Sequence, residues 1–341
     1  MTTKNKLYFL LTALLFGAIS CKEIKKEKIE ETELSKEVLP KEGNIFSTLI
    51  SKSGTIVFQE YYNGKTEDSL CDVQSLTKGI MSILIGIAID KEYIKNVDEP
   101  IAQYFPNEFK NVTAKKKNLI TIRHILNQTS GLSWKGYLEH EKWLNSKDPI
   151  SFVLDKDLEY EPGKNYNYNS GATHLLSVII SKTTGKTALE FGNKVLFHPL
   201  DINLINWQKR NKGYYDGSGL GLKMKPIDLI KIGQLLEKNG IWNGKQIISK
   251  KWIQKLFDEN EKSKTKWGLR NSKHGFCWYH SEFRGNKVDY GMGYGGQFII
   301  MIPDMELIIV TTHNHDTPNG IEQQMKFLNE KLPKLIEKYG N

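Results

Sequence analysis

Cysteine is scarce in this chain: three residues in 341, at positions 21, 71 and 277. After Cys21 only Cys71 and Cys277 remain, too few for the disulfide frameworks that staple small secreted domains. An oxidising compartment would permit one bridge between them, but both sit in apolar contexts and read as two buried thiols. Clustered charge of one sign is missing too. The net charge is +9, from 48 Lys and Arg against 39 Asp and Glu, yet the basic residues are scattered and the lysine runs are interleaved with glutamate. That excludes the basic stripe of a nucleic-acid binder and leaves solubility, with some attraction to an anionic envelope surface, as the meaning of the excess. There is no internal repeat.

What is present begins with a leader. Lys4 and Lys6 precede an apolar stretch over residues 7–16, and small residues then lead to Cys21. The stretch is short for a membrane span and fits a secretory signal over residues 1–21. Ala18-Ile19-Ser20-Cys21 resembles a bacterial lipoprotein processing site, with Ala18 where Leu is commonest. That resemblance implies lipidation of Cys21 and a protein anchored in the bacterial cell envelope. The alternative is an ordinary signal peptide cleaved nearby. Residues 22–43, rich in Lys and Glu, cannot bury enough surface to fold alone and read as a tether.

The remaining residues, 44–338, suffice for one large domain or two lobes. Residues 46–50 and 55–62 alternate around Ser53-Gly54, as in a β-hairpin. Helical patterns follow over 79–89, 121–127, 171–184, 188–196, 226–238 and 250–257, with Gly185 and Gly240 as stops. Strands return over 276–281, 297–302 and 306–312, the last two joined at Pro303-Asp304, before an amphipathic helix over 319–338. Strands at both ends with helices between predict an α/β fold. An antiparallel sheet is built from residues 44–74 and 262–338, flanked by helices, and a mainly helical lobe over 75–261 is inserted. A cleft between the lobes would hold the site.

Three motifs carry chemistry. Ser75-Leu76-Thr77-Lys78 opens a buried helix, so Ser75 and Lys78 lie one turn apart on one face. An amine is thereby set beside a hydroxyl at a helix end whose free N–H groups favour an oxyanion. A serine at this place is also a favoured N-cap, and Ser263-Lys264-Thr265-Lys266 repeats the pattern in a lysine-rich stretch with no apolar run behind it. The second motif, Tyr168-Asn169-Ser170, follows a Pro-Gly turn and leads into a helix. A phenol near the Lys78 amine would act as base for Ser75 and then as acid for the leaving group; a packed aromatic is the plainer alternative. The third is Gly291-Met292-Gly293-Tyr294-Gly295-Gly296-Gln297 at a strand start. Its glycines admit substrate close to the backbone, and the Gln297 N–H would complete a two-donor oxyanion hole with that of Ser75. A Gly-rich bend without a ligand is equally compatible.

In the order Ser-x-x-Lys, Tyr-x-Ser, Tyr-Gly-Gly, the chain resembles the serine β-lactamase/penicillin-binding-protein superfamily. Within it the class C-like branch, with its esterases and nylon-oligomer hydrolases, is most similar in motifs. Residues 86–106, 121–132 and 217–244 look alike as well. The resemblance implies a β-lactamase/transpeptidase-like fold, with Ser75 as acylated nucleophile, Lys78 as its proton partner and Tyr168 as base. Ser75, Gln297, Ser170, Tyr294, Gly295 and Gly296 would serve the oxyanion and substrate. Two departures matter. Ser170 stands where many members carry Asn, and it lacks the reach and two donors of an amide. Tyr294 stands where lactamases carry Lys, removing a cation suited to a carboxylate. The implied function is a serine hydrolase of an ester or amide, with a small-molecule ester, amide or peptide substrate and a membrane as partners. A β-lactamase or DD-carboxypeptidase is the first alternative and a non-catalytic binding or sensing lipoprotein the second. Neither cofactor nor nucleic acid enters this reading. His313 and His315 alternate along a strand and invite a metal, but no third ligand is evident and a polar strand end is the better reading. Trp134, Tyr137 and Trp143 either line the cleft or pack their loop.

Overall fold

The computed structural model describes residues 43–110, 115–258 and 267–340. The leader, Cys21, the tether and the second Ser-x-x-Lys copy at 263–266 lie outside the described residues.

The chain enters through a hairpin, β1 (Ile45–Lys52) and β2 (Thr55–Tyr61), then a short β3 (Cys71–Asp72). Helix α1 (Leu76–Asp90) follows, then α2 (Ile122–Leu126), α3 (Gly136–Leu144) and α4 (Ser170–Thr184). Two short strands, β4 (Asn206–Trp207) and β5 (Leu222–Met224), precede α5 (Pro226–Glu237), the hairpin β6 (Ile241–Trp242) and β7 (Lys245–Gln246), and α6 (Lys250–Asp258). The chain closes with β8 (Lys273–Gly275), β9 (Trp278–Phe283), β10 (Asn286–Gly293), β11 (Gln297–Ile302), β12 (Leu307–His313), α7 (Gly320–Lys326) and α8 (Leu332–Tyr339).

The first and last thirds of the chain form one seven-stranded sheet in the order β2-β1-β12-β11-β10-β9-β8, antiparallel at each pairing. Both faces of its centre are covered. On β11 and β12, Ile299, Met301, Ile308 and Val310 belong to the core shared with α1 and α5. Phe298, Ile300, Ile302, Leu307 and Ile309 face Phe327, Leu332 and Ile336 of the C-terminal helices. Two buried faces replace polar alternation with unbroken apolar runs, and at ~1.5–3 kcal/mol per buried Leu or Ile these runs anchor the sheet. A second sheet, β3-β5-β4, ties the chain just before Ser75 to the chain just after residue 219.

Helix ends follow local chemistry. Thr121 caps α2 and Thr187 its own short helix, each in a reciprocal capping box. Gly185 stops α4 in the left-handed region at φ 66°. The expected strand over 276–281 is displaced: Phe276 and Cys277 take φ of 50° and 67°, forming the two-residue turn between β8 and β9. The apolar alternation of the sequence runs across this turn without a break. The expected helices over 188–196 and 319–338 pass instead into π-helical turns at Asn193–Phe197 and Phe327–Lys331.

Candidate active site

Ser75 stands at the mouth of α1, and the turn that presents it is fixed before the helix begins. Asp72 Oδ1 accepts the Gln74 N–H at 2.9 Å, and Gln74 sits at φ 50°, a conformation that costs a non-glycine residue about 1 kcal/mol or more. Leu76, Thr77 and Lys78 return their N–H groups to Val73, Gln74 and Ser75. Among the described residues the N–H of Ser75 has no backbone or side-chain acceptor, leaving it available to a ligand. The Ser75 hydroxyl makes no capping bond, so the N-cap alternative does not describe its side chain.

That hydroxyl is 2.9 Å from Lys78 Nζ. Lys78 is buried, at 2 % exposure, in a helix whose residues 76–88 are all buried. An ammonium withdrawn from water costs several kcal/mol unless hydrogen bonds replace its hydration. Its replacements are Ser75 Oγ and the carbonyl of Ser218, to which Nζ donates a second short bond. Tyr168 completes the cluster, with Lys78 Nζ 4.9 Å from its ring centroid. The edge of its ring meets Trp267, centroids 6.0 Å apart. The segment carrying Tyr168 is clamped by buried Gln128: its carbonyl accepts the Asn167 N–H at 2.8 Å and its Oε1 the Asn169 N–H at 2.6 Å. Asn169 then caps α4 through Ala172 N.

Ser170 is buried as the first residue of α4. Among the described residues no hydrogen bond joins it to Lys78; the Ser218 carbonyl takes that position. Tyr294, Gly295 and Gly296 form the turn between β10 and β11, with Tyr294 38 % exposed and its ring against Gly320. Gln297 is fully buried. Its Nε2 donates to the carbonyls of His313 at 2.9 Å and Tyr294 at 3.2 Å, and its Oε1 accepts the His313 N–H at 2.9 Å. Gly293 brings this turn against the one that presents Ser75: a Cβ there would lie 2.4 Å from the Val73 carbonyl oxygen and 3.0 Å from the Cβ atoms of both Gln74 and Gln297.

The groups not singled out from sequence lie in the loop from Asp216 to Gly221. Besides the Ser218 carbonyl, Gly219 lies directly on Ser75 and Lys78, since a Cβ there would stand 2.9 Å from both Ser75 Oγ and Lys78 Nζ. The Gly217-Ser218-Gly219-Leu220-Gly221 run was the available signal. Concavities of about 250 and 310 Å³ open at the other end of α1 and share Lys91, Gln246 and Ile247; Ser75, Lys78 and Tyr168 line neither. Side-chain chemistry, rather than cavity size, locates the site.

Cys71 and Cys277 are free and buried; burial raises both thiols, that of Cys277 to about 12. His313 packs against Gly296 and Phe327, and His315 faces Asp316 at 3.4 Å. Among the described residues no three His, Cys, Asp or Glu side chains group as metal ligands. Trp134 and Trp143 are buried, with Trp143 Nε1 donating to the Pro149 carbonyl at 2.9 Å; Tyr137 is 78 % exposed.

The Beta-lactamase family profile matches residues 46–332, and the chain belongs to this family of serine hydrolases. An uncharacterized protein of Alkalihalophilus pseudofirmus is 24% identical over 315 residues, covering 80% of this chain and 85% of its own. Among solved structures, one from Bacillus anthracis assigned as a 6-aminohexanoate-dimer hydrolase superposes with TM-score 0.72 at 19% identity, over 91% of this chain and 82% of that one. The octameric penicillin-binding protein homologue from Pyrococcus abyssi gives 0.67 at 20% identity, over 90% and 76%. At these identities the superpositions establish the β-lactamase/transpeptidase-like fold.

Proposed function

We propose that the protein cleaves an ester or amide through an acyl-enzyme on Ser75. The observation that carries this reading is the 2.9 Å contact between Lys78 Nζ and Ser75 Oγ, held in a buried setting beside Tyr168. In the first step Ser75 Oγ bonds to the substrate carbonyl carbon and its proton passes to the Lys78–Tyr168 pair. The carbonyl electrons collect on an oxyanion facing the N–H groups of Ser75 and Gln297. The oxyanion collapses, and the C–O or C–N bond to the leaving group breaks as that group takes the proton. Water then attacks the acyl carbon, its proton held by the same pair, and Ser75 is released with the acid.

Tyr294 supports an ester or neutral amide over a β-lactam or D-Ala-D-Ala terminus, because a phenol replaces the cation that would meet a carboxylate. The β-lactamase or DD-carboxypeptidase reading is second, favoured by family membership. A non-catalytic binding role ranks last because nucleophile, amine and phenol are all present. Anchoring to the cell envelope through Cys21 belongs to the same proposal. The test is hydrolysis of p-nitrophenyl esters, short amides and nitrocefin by wild type, Ser75→Ala and Lys78→Ala. Ester turnover that vanishes in Ser75→Ala and falls ~10²–10⁴-fold in Lys78→Ala is expected; turnover indifferent to Ser75 refutes the reading.

A further inference from the structure

We propose that Asp216 is a positioning residue for the Ser75–Lys78 pair, an inference that rests on the acyl-enzyme reading. Asp216 is fully buried; its N–H, its carbonyl and carboxylate Oδ1 are hydrogen-bonded, while Oδ2 has an ion-pair contact without hydrogen-bond geometry. Its N–H donates to the Gln208 carbonyl at 2.9 Å, and its own carbonyl accepts Trp207 Nε1 at 2.7 Å. Carboxylate Oδ1 accepts the Ser218 N–H at 2.6 Å, the Ser218 hydroxyl at 2.7 Å and the Gly219 N–H at 3.1 Å. The other oxygen, Oδ2, lies 2.7 Å from Arg210 Nε. The Gly217 N–H donates to buried His174 Nδ1 at 3.3 Å, pinning the same loop to α4.

What this carboxylate winds into shape is the stretch that touches the catalytic pair. The Ser218 carbonyl accepts from Lys78 Nζ, and Gly219 closes over Ser75 Oγ. Lys78 reaches Ser75 on a flexible four-carbon stem, so the Ser218 carbonyl, its second partner, helps to set where the amine sits. Stability alone is a weak reason for the Arg210–Asp216 pair, because buried ion pairs contribute little over apolar replacements of similar shape. A carboxylate that gathers three donors into one loop, next to a buried amine, instead sets the attack geometry, where a displacement of about 1 Å costs ~10²-fold in rate.

The test is the second-order rate of fluorophosphonate labelling of the full chain at Ser75, measured across pH for wild type, Asp216→Ala and Asp216→Asn, each corrected for folded fraction. Asp216→Ala is expected to label about 100-fold more slowly. Asp216→Asn, which keeps an acceptor oxygen but not the charge, should recover to within roughly tenfold of wild type. If Asp216→Ala does not fold, labelling of folded Asp216→Asn that is slower than wild type by less than about tenfold carries the same meaning. Wild-type labelling rates in both variants, with a change only in melting temperature, overturn the inference. A wild type without Ser75-dependent labelling refutes the acyl-enzyme reading itself, and this inference with it.

Discussion

Gly219 and Ser75, far apart along the chain, come together so closely that a single added methyl group at Gly219 would stand 2.9 Å from the Ser75 hydroxyl oxygen. Gly219 also sits at φ +116°, where an L side chain is strained. The backbone of the Asp216 loop thus lies directly against the Ser75 side chain.

Replacing Gly219 with alanine should therefore silence the site more than it weakens the fold. The Cβ must displace Ser75 Oγ or Lys78 Nζ, and misplacement on that scale costs ~10²-fold or more in rate. The strain itself is about 1–3 kcal/mol. Ester hydrolysis and urea unfolding of Gly219→Ala, measured together, check the two magnitudes.

Tyr294→Lys should restore recognition of a carboxylate. An exposed ammonium at the turn between β10 and β11 would meet a β-lactam carboxylate as the phenol does not. Labelling by a fluorescent penicillin is expected to rise about tenfold over wild type, while hydrolysis of uncharged esters stays level or falls. Equal penicillin labelling in both proteins would show that Tyr294 does not govern this choice.

Gln297→Leu should destabilise the fold as well as the site. It leaves the buried N–H and carbonyl of His313 without the partners that Gln297 supplies, at about 1–3 kcal/mol for each orphaned group. Urea melts should show a loss of roughly 2–5 kcal/mol. The turn carrying Tyr294 to Gly296, tied by the same side chain, should lose protection from hydrogen exchange.

Acid should unfold the protein through its buried histidines. Burial lowers His174 and His313 to about 4 and His274 to about 3. The ordinary histidine value near 6.5 applies to the unfolded chain, so below that pH the unfolded chain binds protons that the native protein does not. Stability is then complete above about pH 6.5, falls as pH drops toward 4, and stops falling on this cause once the native histidines also protonate. Each group removes of the order of 3 kcal/mol over that window. Urea midpoints at pH 7.5, 6 and 5 should decline steeply; midpoints level across this range would contradict the assignment.

How much of this was legible in the sequence depended on distance along the chain. Ser75 and Lys78 are one helical turn apart, so their contact follows from local geometry alone, and the motif order placed Tyr168 and the Tyr294 turn. The Ser218 carbonyl reaches Lys78 across 140 residues, and no local periodicity encodes that approach. Only the glycine spacing from Gly217 to Gly221 hinted at a loop pressed against something. The expected strand over 276–281 begins two residues late, at Trp278, for a different reason. Phe276 and Cys277 are apolar residues in a left-handed turn, where glycine or asparagine would have announced the reversal. The continuous runs in β11 and β12 were legible as strands, but their burial on both faces became evident only with α8 and α5 packed on opposite sides of the sheet.

The most direct measurement is intact-mass and peptide mapping of the full chain after reaction with a fluorophosphonate, in wild type and in Ser75→Ala. The expected result is one stoichiometric adduct on the peptide containing Ser75, absent from Ser75→Ala and formed at least ~10²-fold more slowly in Lys78→Ala. An adduct on another residue, or equal labelling of Ser75→Ala, would contradict the assignment of Ser75 as the nucleophile.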